Sequence, residues 1–142
     1  MALIFISALF FQGCPSETDE TPDRTFFIVN NSTETISVFY IFSESELMPN
    51  RFDVKPTLQI MPEIEYEEFL KYDDFDKNRK LRILIYKQST LENYTWNEIR
   101  KLGMYDMKYD FTLEEMKSIN YKINYDGNSK ALKPINEVTY YK

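Results

Sequence analysis

Apolar and polar positions alternate with period two through most of this chain. The first such run, residues 25–29 (TFFIV), leads through Asn30-Asn31-Ser32-Thr33-Glu34 into residues 35–42 (TISVFYIF). In the second run Ile36, Val38, Tyr40 and Phe42 share one parity. Two β-branched and aromatic runs around an Asn/Ser turn predict a β-hairpin. Phe39 and Ile41 make the other face of the second run apolar too, which predicts a central strand covered on both faces. Residues 43–62 are punctuated by Pro49, Pro56 and Pro62. Only short edge strands fit between those prolines, at Leu58 and Ile60 and around Phe52 and Val54. Residues 64–72 (IEYEEFLKY) fit either a strand or one helical turn. A charged connection, residues 73–80, then enters the strongest strand, residues 81–86 (LRILIY), in which Leu81, Ile83 and Ile85 alternate with Arg82 and Leu84.

Beyond residue 88 the signals sharpen. Thr95-Trp96-Asn97-Glu98 is a capping box, in which the Thr95 hydroxyl accepts from the Glu98 N–H while the Glu98 carboxylate reaches back. It predicts a helix near 96–102, with Gly103 as its left-handed stop. Tyr105, Met107, Tyr109 and Phe111 alternate with charged residues as a strand. Thr112-Leu113-Glu114-Glu115 opens a second short helix near 113–118. Tyr121, Ile123 and Tyr125 form one further strand before Asp126-Gly127 turns the chain, and residues 138–141 suggest a last one. The pattern predicts a mainly β chain: one β-sandwich-like domain over residues 24–142 with two short helices.

The front of the chain obeys a different rule. Residues 2–11 (ALIFISALFF) are ten apolar or small residues, leading through Gln12 to Gly13-Cys14. That is an h-region of secretory length ending in a small residue before a cysteine. It is too short to span a bilayer, which takes ~20 apolar residues. Residues 1–13 therefore read as a bacterial lipoprotein signal peptide, and Cys14 as the lipidation site, cut free after Gly13 and then diacylated. Residues 14–23 are an acidic, proline-bearing tether. Two or more acyl chains hold a protein on a membrane stably, whereas one does not. The single cysteine is thereby used on lipid, and no disulfide forms within the chain.

Composition narrows the chemistry. With 17 basic and 23 acidic side chains the net charge is −6, which argues against nucleic acid and anionic membrane surfaces as partners. There is no histidine, so the commonest general base and metal ligand are both missing. No cofactor motif is present. Asp74-Phe75-Asp76-Lys77-Asn78 opens like a calcium loop but has Arg79 where glycine belongs and Ile85 where glutamate belongs, so a solvated turn fits better. Glu63, Glu65, Glu67 and Glu68 could supply a glycosidase-type carboxylate pair, but nothing fixes their separation, and an exposed acidic face fits better. Trp96, at the first helical position after a cap, is expected in the core rather than as a sugar-stacking platform. Tyr94, Tyr105, Tyr109, Tyr140 and Tyr141 are the expected exposed aromatics.

Three segments carry a resemblance: Tyr94-Thr95-Trp96-Asn97-Glu98-Ile99-Arg100, residues 108–116 (KYDFTLEEM) and residues 120–125 (NYKINY). Together they resemble a group of small uncharacterised lipoproteins of gut Bacteroidetes, which join a lipidated cysteine to a β-rich domain with an early Asn-rich hairpin. Tyr121 and Asp126 depart from that pattern, which has Trp and Pro there. The resemblance implies a lipid-anchored protein of the outer membrane, facing either the cell surface or the periplasm, and brings no activity with it. Glu17, Asp19 and Glu20 likewise resemble the export signals of such surface lipoproteins. The expectation is a non-enzymatic binding or structural module, held to the membrane through Cys14 and taking a glycan, peptide or protein. No catalytic residue, metal or cofactor is assigned. The alternative is a carboxylate-dependent hydrolase, which needs no histidine.

Overall fold

The structure, a computed structural model, describes residues 24–71, 74–75 and 78–128. The signal-like stretch, Cys14, the tether, Asp76 and Lys77, the strand expected at 138–141, Tyr140 and Tyr141 lie outside the described residues. Two sheets pack face to face. One has the order β4-β1-β7, from Glu65–Leu70 (β4), Arg24–Asn30 (β1) and Lys122–Tyr125 (β7). The other has the order β3-β2-β5-β6, from Leu58–Ile60 (β3), Ile36–Ser43 (β2), Lys80–Lys87 (β5) and Met107–Phe111 (β6). All pairings are antiparallel except β1 with β7, which is parallel. Among the described residues there are also three short α-helices, Gln88–Asn93 (α1), Trp96–Leu102 (α2) and Leu113–Ser118 (α3).

The period-two pattern explains the sandwich. Phe26 and Ile28 of β1, Ile36 and Val38 of β2, Leu81, Ile83 and Ile85 of β5 and Ile123 and Tyr125 of β7 meet between the sheets, joined by Met116 of α3. β5 lies inside its sheet, and its other parity is buried as well. Leu84 and Tyr86 join Leu47, Ile99 and Met104 in a second cluster beneath α2. A strand covered on both faces reads as a nearly continuous apolar run, as LRILIY does. β2 is covered less completely, because Phe39 lies under Phe52 while Ile41 is exposed.

Both helices predicted from capping boxes form where their sequences place them. Thr95 accepts from the Glu98 N–H at 3.3 Å and donates its own N–H to the Glu98 carboxylate at 2.8 Å. Gly103 ends α2 at φ 64°, a left-handed conformation that costs glycine little. Thr112 and Glu115 repeat the reciprocal pair at α3. Within residues 64–72, Glu65–Leu70 form strand β4. The third helix, α1, has no side-chain cap and no acidic residue in its first turn, so no start signal marks it.

The expected hairpin is overturned. β1 and β2 do not form a hairpin, because they belong to different sheets. β4 occupies one edge of β1 and β7 the other, so no edge remains for β2. The Asn/Ser turn carries the chain from one sheet to the other. Phe52 and Val54 also fall outside any strand, after a 3-10 turn at Pro49–Arg51. Among the described residues no helix is long and apolar enough to cross a membrane.

Candidate functional site

Asn30, the last residue of β1, is fully buried. A buried amide is costly unless each polar atom finds a partner, and every polar atom of Asn30 does. Its Nδ2 donates to the carbonyls of Glu34, at 2.9 Å, and Ile60, at 2.8 Å. Its Oδ1 accepts from the Ser32 N–H at 3.0 Å and the Ser32 hydroxyl at 2.6 Å. Its main-chain N–H donates to Ile64, and its carbonyl accepts from the Glu63 N–H. One side chain thus ties the β1–β2 turn to the β3–β4 turn.

Two more connections join this end of the sandwich. The Asn31 N–H donates to Tyr125 at the close of β7, and the Gln88 N–H at the start of α1 donates to Thr35. Burial pushes the Glu34 carboxyl up, but hydrogen bonds from Ser89, with nearby Lys87, hold it below its usual range. After β7, Gly127 adopts φ +81°, and a Cβ there would lie 2.9 Å from the Ser32 Cβ. The β3–β4 turn closes through the Ile64 N–H on the Met61 carbonyl and puts Glu63 at φ 63°, uncommon for a residue with a side chain. That turn presents Met61, 61% exposed, and Ile64, 45% exposed, to solvent.

A second cluster lies further along the strands. Glu68 of β4 faces inward and its Oε2 accepts from the Tyr66 hydroxyl at 2.5 Å and from the Tyr40 hydroxyl of β2. The two phenol oxygens are 3.5 Å apart. The Tyr40 and Tyr66 hydroxyls hold the Glu68 carboxyl below its usual range, against the opposing effect of burial. Burial and the Glu68 acceptor together push Tyr40 well up, and Tyr66 also rises. This carboxylate stays ionised, which is the reverse of what a general acid needs.

The residues singled out by sequence are dispersed. Glu63 sits in the turn, and Glu65 and Glu67 lie on the outer face of β4, where Glu65 pairs with Lys122 at 2.6 Å. Glu68 alone points inward, so the four do not converge. Asp74 accepts from the Lys71 N–H at 2.7 Å. Among the described residues no three metal-ligating side chains cluster. Trp96 packs between Phe39 and Tyr86, with centroids at 5.8 and 5.5 Å, and donates its Nε1–H to the Phe52 carbonyl. It belongs to the second core, as expected. Tyr94 is exposed, but Tyr105 and Tyr109 are half-buried, Tyr105 against the second core and Tyr109 stacked on Phe111. No sequence signal marked Met61 and Ile64, whose exposure depends on how Asn30 holds their turn. In comparisons with known proteins, no protein family, curated protein or solved structure matches this chain.

Proposed function

We propose that this chain is a lipid-anchored, non-enzymatic binding module of the bacterial outer membrane, held through Cys14, with the loop-bearing end as its recognition surface. The observation that carries the reading is the buried Asn30, which fixes two turns from two sheets and leaves Met61 and Ile64 facing solvent. Binding residues characteristically sit on loops positioned by a rigid scaffold. The seven residues of β1 rise ~3.3 Å each, so the loop end stands ~20 Å from the end of β1 that joins the tether. A domain tethered at that end presents its loops away from the membrane.

Aliphatic side chains at the tip favour a peptide or protein ligand over a glycan, which stacks on flat aromatic rings. What supports binding over hydrolysis is geometric. Of Glu63, Glu65, Glu67 and Glu68 only Glu68 faces inward. The Tyr40 and Tyr66 hydroxyls hold it below its usual range, the reverse of a general acid. The similarity to Bacteroidetes lipoproteins and the sequence of residues 1–14 support the location.

The test has three arms on the whole chain expressed in a Gram-negative host. Cys14→Ala is expected to release the domain from membranes or leave an uncut precursor, and retention at the mature size overturns the anchor. Binding to peptide arrays is expected to disappear in Met61→Asp/Ile64→Asp while the melting temperature is kept. Turnover on a hydrolase panel, abolished by one Asp or Glu substitution, overturns the binding role.

A further inference from the structure

Among the described residues, the strand pairing leaves one flank of the sandwich unfinished. β3 pairs with β2 only at Ile36, Ser37 and Val38. From Phe39 to Ser43, β2 has β5 on one side and, among the described residues, no strand on the other. β4, the facing strand of the second sheet, is likewise an outer strand that pairs only with β1. Two open edges therefore lie along the same flank, and Glu68 spans them. Its carboxylate takes one phenol from β4 itself and one from β2 in the other sheet.

From this geometry we infer that Glu68 is an acid-sensitive clasp: its carboxylate holds the two sheets together along the strandless flank, and its protonation opens that flank while the rest of the sandwich stays folded. A carboxylate is an acceptor only and can serve two hydroxyl donors at once. The protonated acid carries a hydrogen of its own and loses the charge that makes these bonds strong. Among the described residues, few groups face Glu68. β2 contributes Tyr40, β4 contributes Tyr66 and the Phe69 main chain, and β1 contributes Phe26, whose ring meets Tyr40 edge-on at 5.6 Å. β3 adds Leu58 to the adjoining core and carries no charge. Among the described residues no lysine or arginine sets this carboxyl, and its two stabilising side-chain partners are phenols that remain neutral across the acid range.

The folded carboxyl is held below its unfolded value, so the clasp's contribution is complete above the unfolded value. It disappears as the pH falls through the folded one. The experiment is hydrogen exchange on the whole protein, corrected for intrinsic exchange rates, from pH 7 down to pH 3. Protection of residues 39–43 and 65–70 is expected to fall about fivefold relative to residues 83–85, a modest value because Glu68 is partly exposed. Glu68→Gln should show low flank protection at both pH values, and Tyr66→Phe should lower it at pH 7 alone. Equal loss in β5 and the flank, or an undiminished acid response in Glu68→Gln, overturns the inference. Should Glu68→Gln not fold, the relative loss in the native protein and its reduction in Tyr66→Phe decide the matter.

Discussion

The Asn30 side-chain amide donates to the Ile60 carbonyl at 2.8 Å, across the boundary between the two sheets. A β1–β2 hairpin would have kept both strands in one sheet. Here the turn crosses the sandwich, and a side chain replaces the missing ladder. Asn30→Ala would take the side-chain donor from the Ile60 carbonyl and the acceptor from the Ser32 N–H, while the Glu34 carbonyl keeps the Ser32 hydroxyl, and each buried orphan costs ~1–3 kcal/mol. A loss of about 3 kcal/mol is expected in urea unfolding, since such penalties do not add fully. Asn30→Asp should be at least as harmful at pH 7, where a carboxylate would face two carbonyls. Mild acid should relieve it in part, because the protonated form regains a donor.

Gly127 is required twice over, by φ +81° and by the approach to Ser32. Gly127→Ala is expected to cost ~1–3 kcal/mol, because left-handed strain and a clash with a pinned side chain act together. Adding Ser32→Gly should remove the clash and leave the strain. Thermal denaturation should then show partial recovery in the double variant, measured against Ser32→Gly alone. Full additivity of the two losses would argue that the contact carries no strain.

Much of the architecture was legible because local chemistry and tertiary packing agree. Thr95 with Glu98 and Thr112 with Glu115 close their own helix starts, so a reader needs only four residues to find each. LRILIY shows its double burial in its composition. What escaped was non-local. Whether β1 pairs with β2 depends on β4 and β7 claiming its edges, and β7 begins ~90 residues later. The exposure of Met61 and Ile64 depends on an asparagine thirty residues upstream. Glu68 stood out in sequence only as one of four acids, and its single inward direction follows from the strand register that pairs it with Phe26.

Trp96 is the sole tryptophan and packs in the second core, so its fluorescence reports on that core alone. Trp96→Ala should cost about 3 kcal/mol by removing contacts to Phe39 and Tyr86. Trp96→Phe keeps an aromatic there but withdraws the donor from the Phe52 carbonyl, and should cost about 1 kcal/mol. Near-ultraviolet circular dichroism would check packing in both. An unaltered stability in Trp96→Ala would mean that α2 and the 3-10 turn contribute little to folding.

Arg82 faces out from β5, yet is 8% exposed, because the chain after β2 folds over it. Its Nε donates to the Ser43 carbonyl at 3.2 Å and one terminal nitrogen to Glu44 at 3.0 Å. Its other terminal nitrogen lies 2.9 Å from Asp110, an ion pair by distance with no hydrogen bond aligned to that oxygen. Lys108 stands 3.7 Å from the second Asp110 oxygen and also holds Glu46 from the same crossing segment. Two consequences separate the carbonyl contacts from the charge pair. Asp110→Asn should cost less than about 1 kcal/mol, because the Asp110 side chain is 32% exposed and no hydrogen bond is aligned to the oxygen that faces Arg82. Arg82→Met should cost about 2–3 kcal/mol, because it strands two carbonyls and loosens the segment that buries Leu47. Arg82→Lys should fall between them, since one ammonium cannot replace the fork. A double-mutant cycle between Arg82→Met and Asp110→Asn should yield under about 1 kcal/mol of coupling. A coupling of 3 kcal/mol would show instead that the ion pair holds the crossing segment, with the main-chain carbonyls secondary.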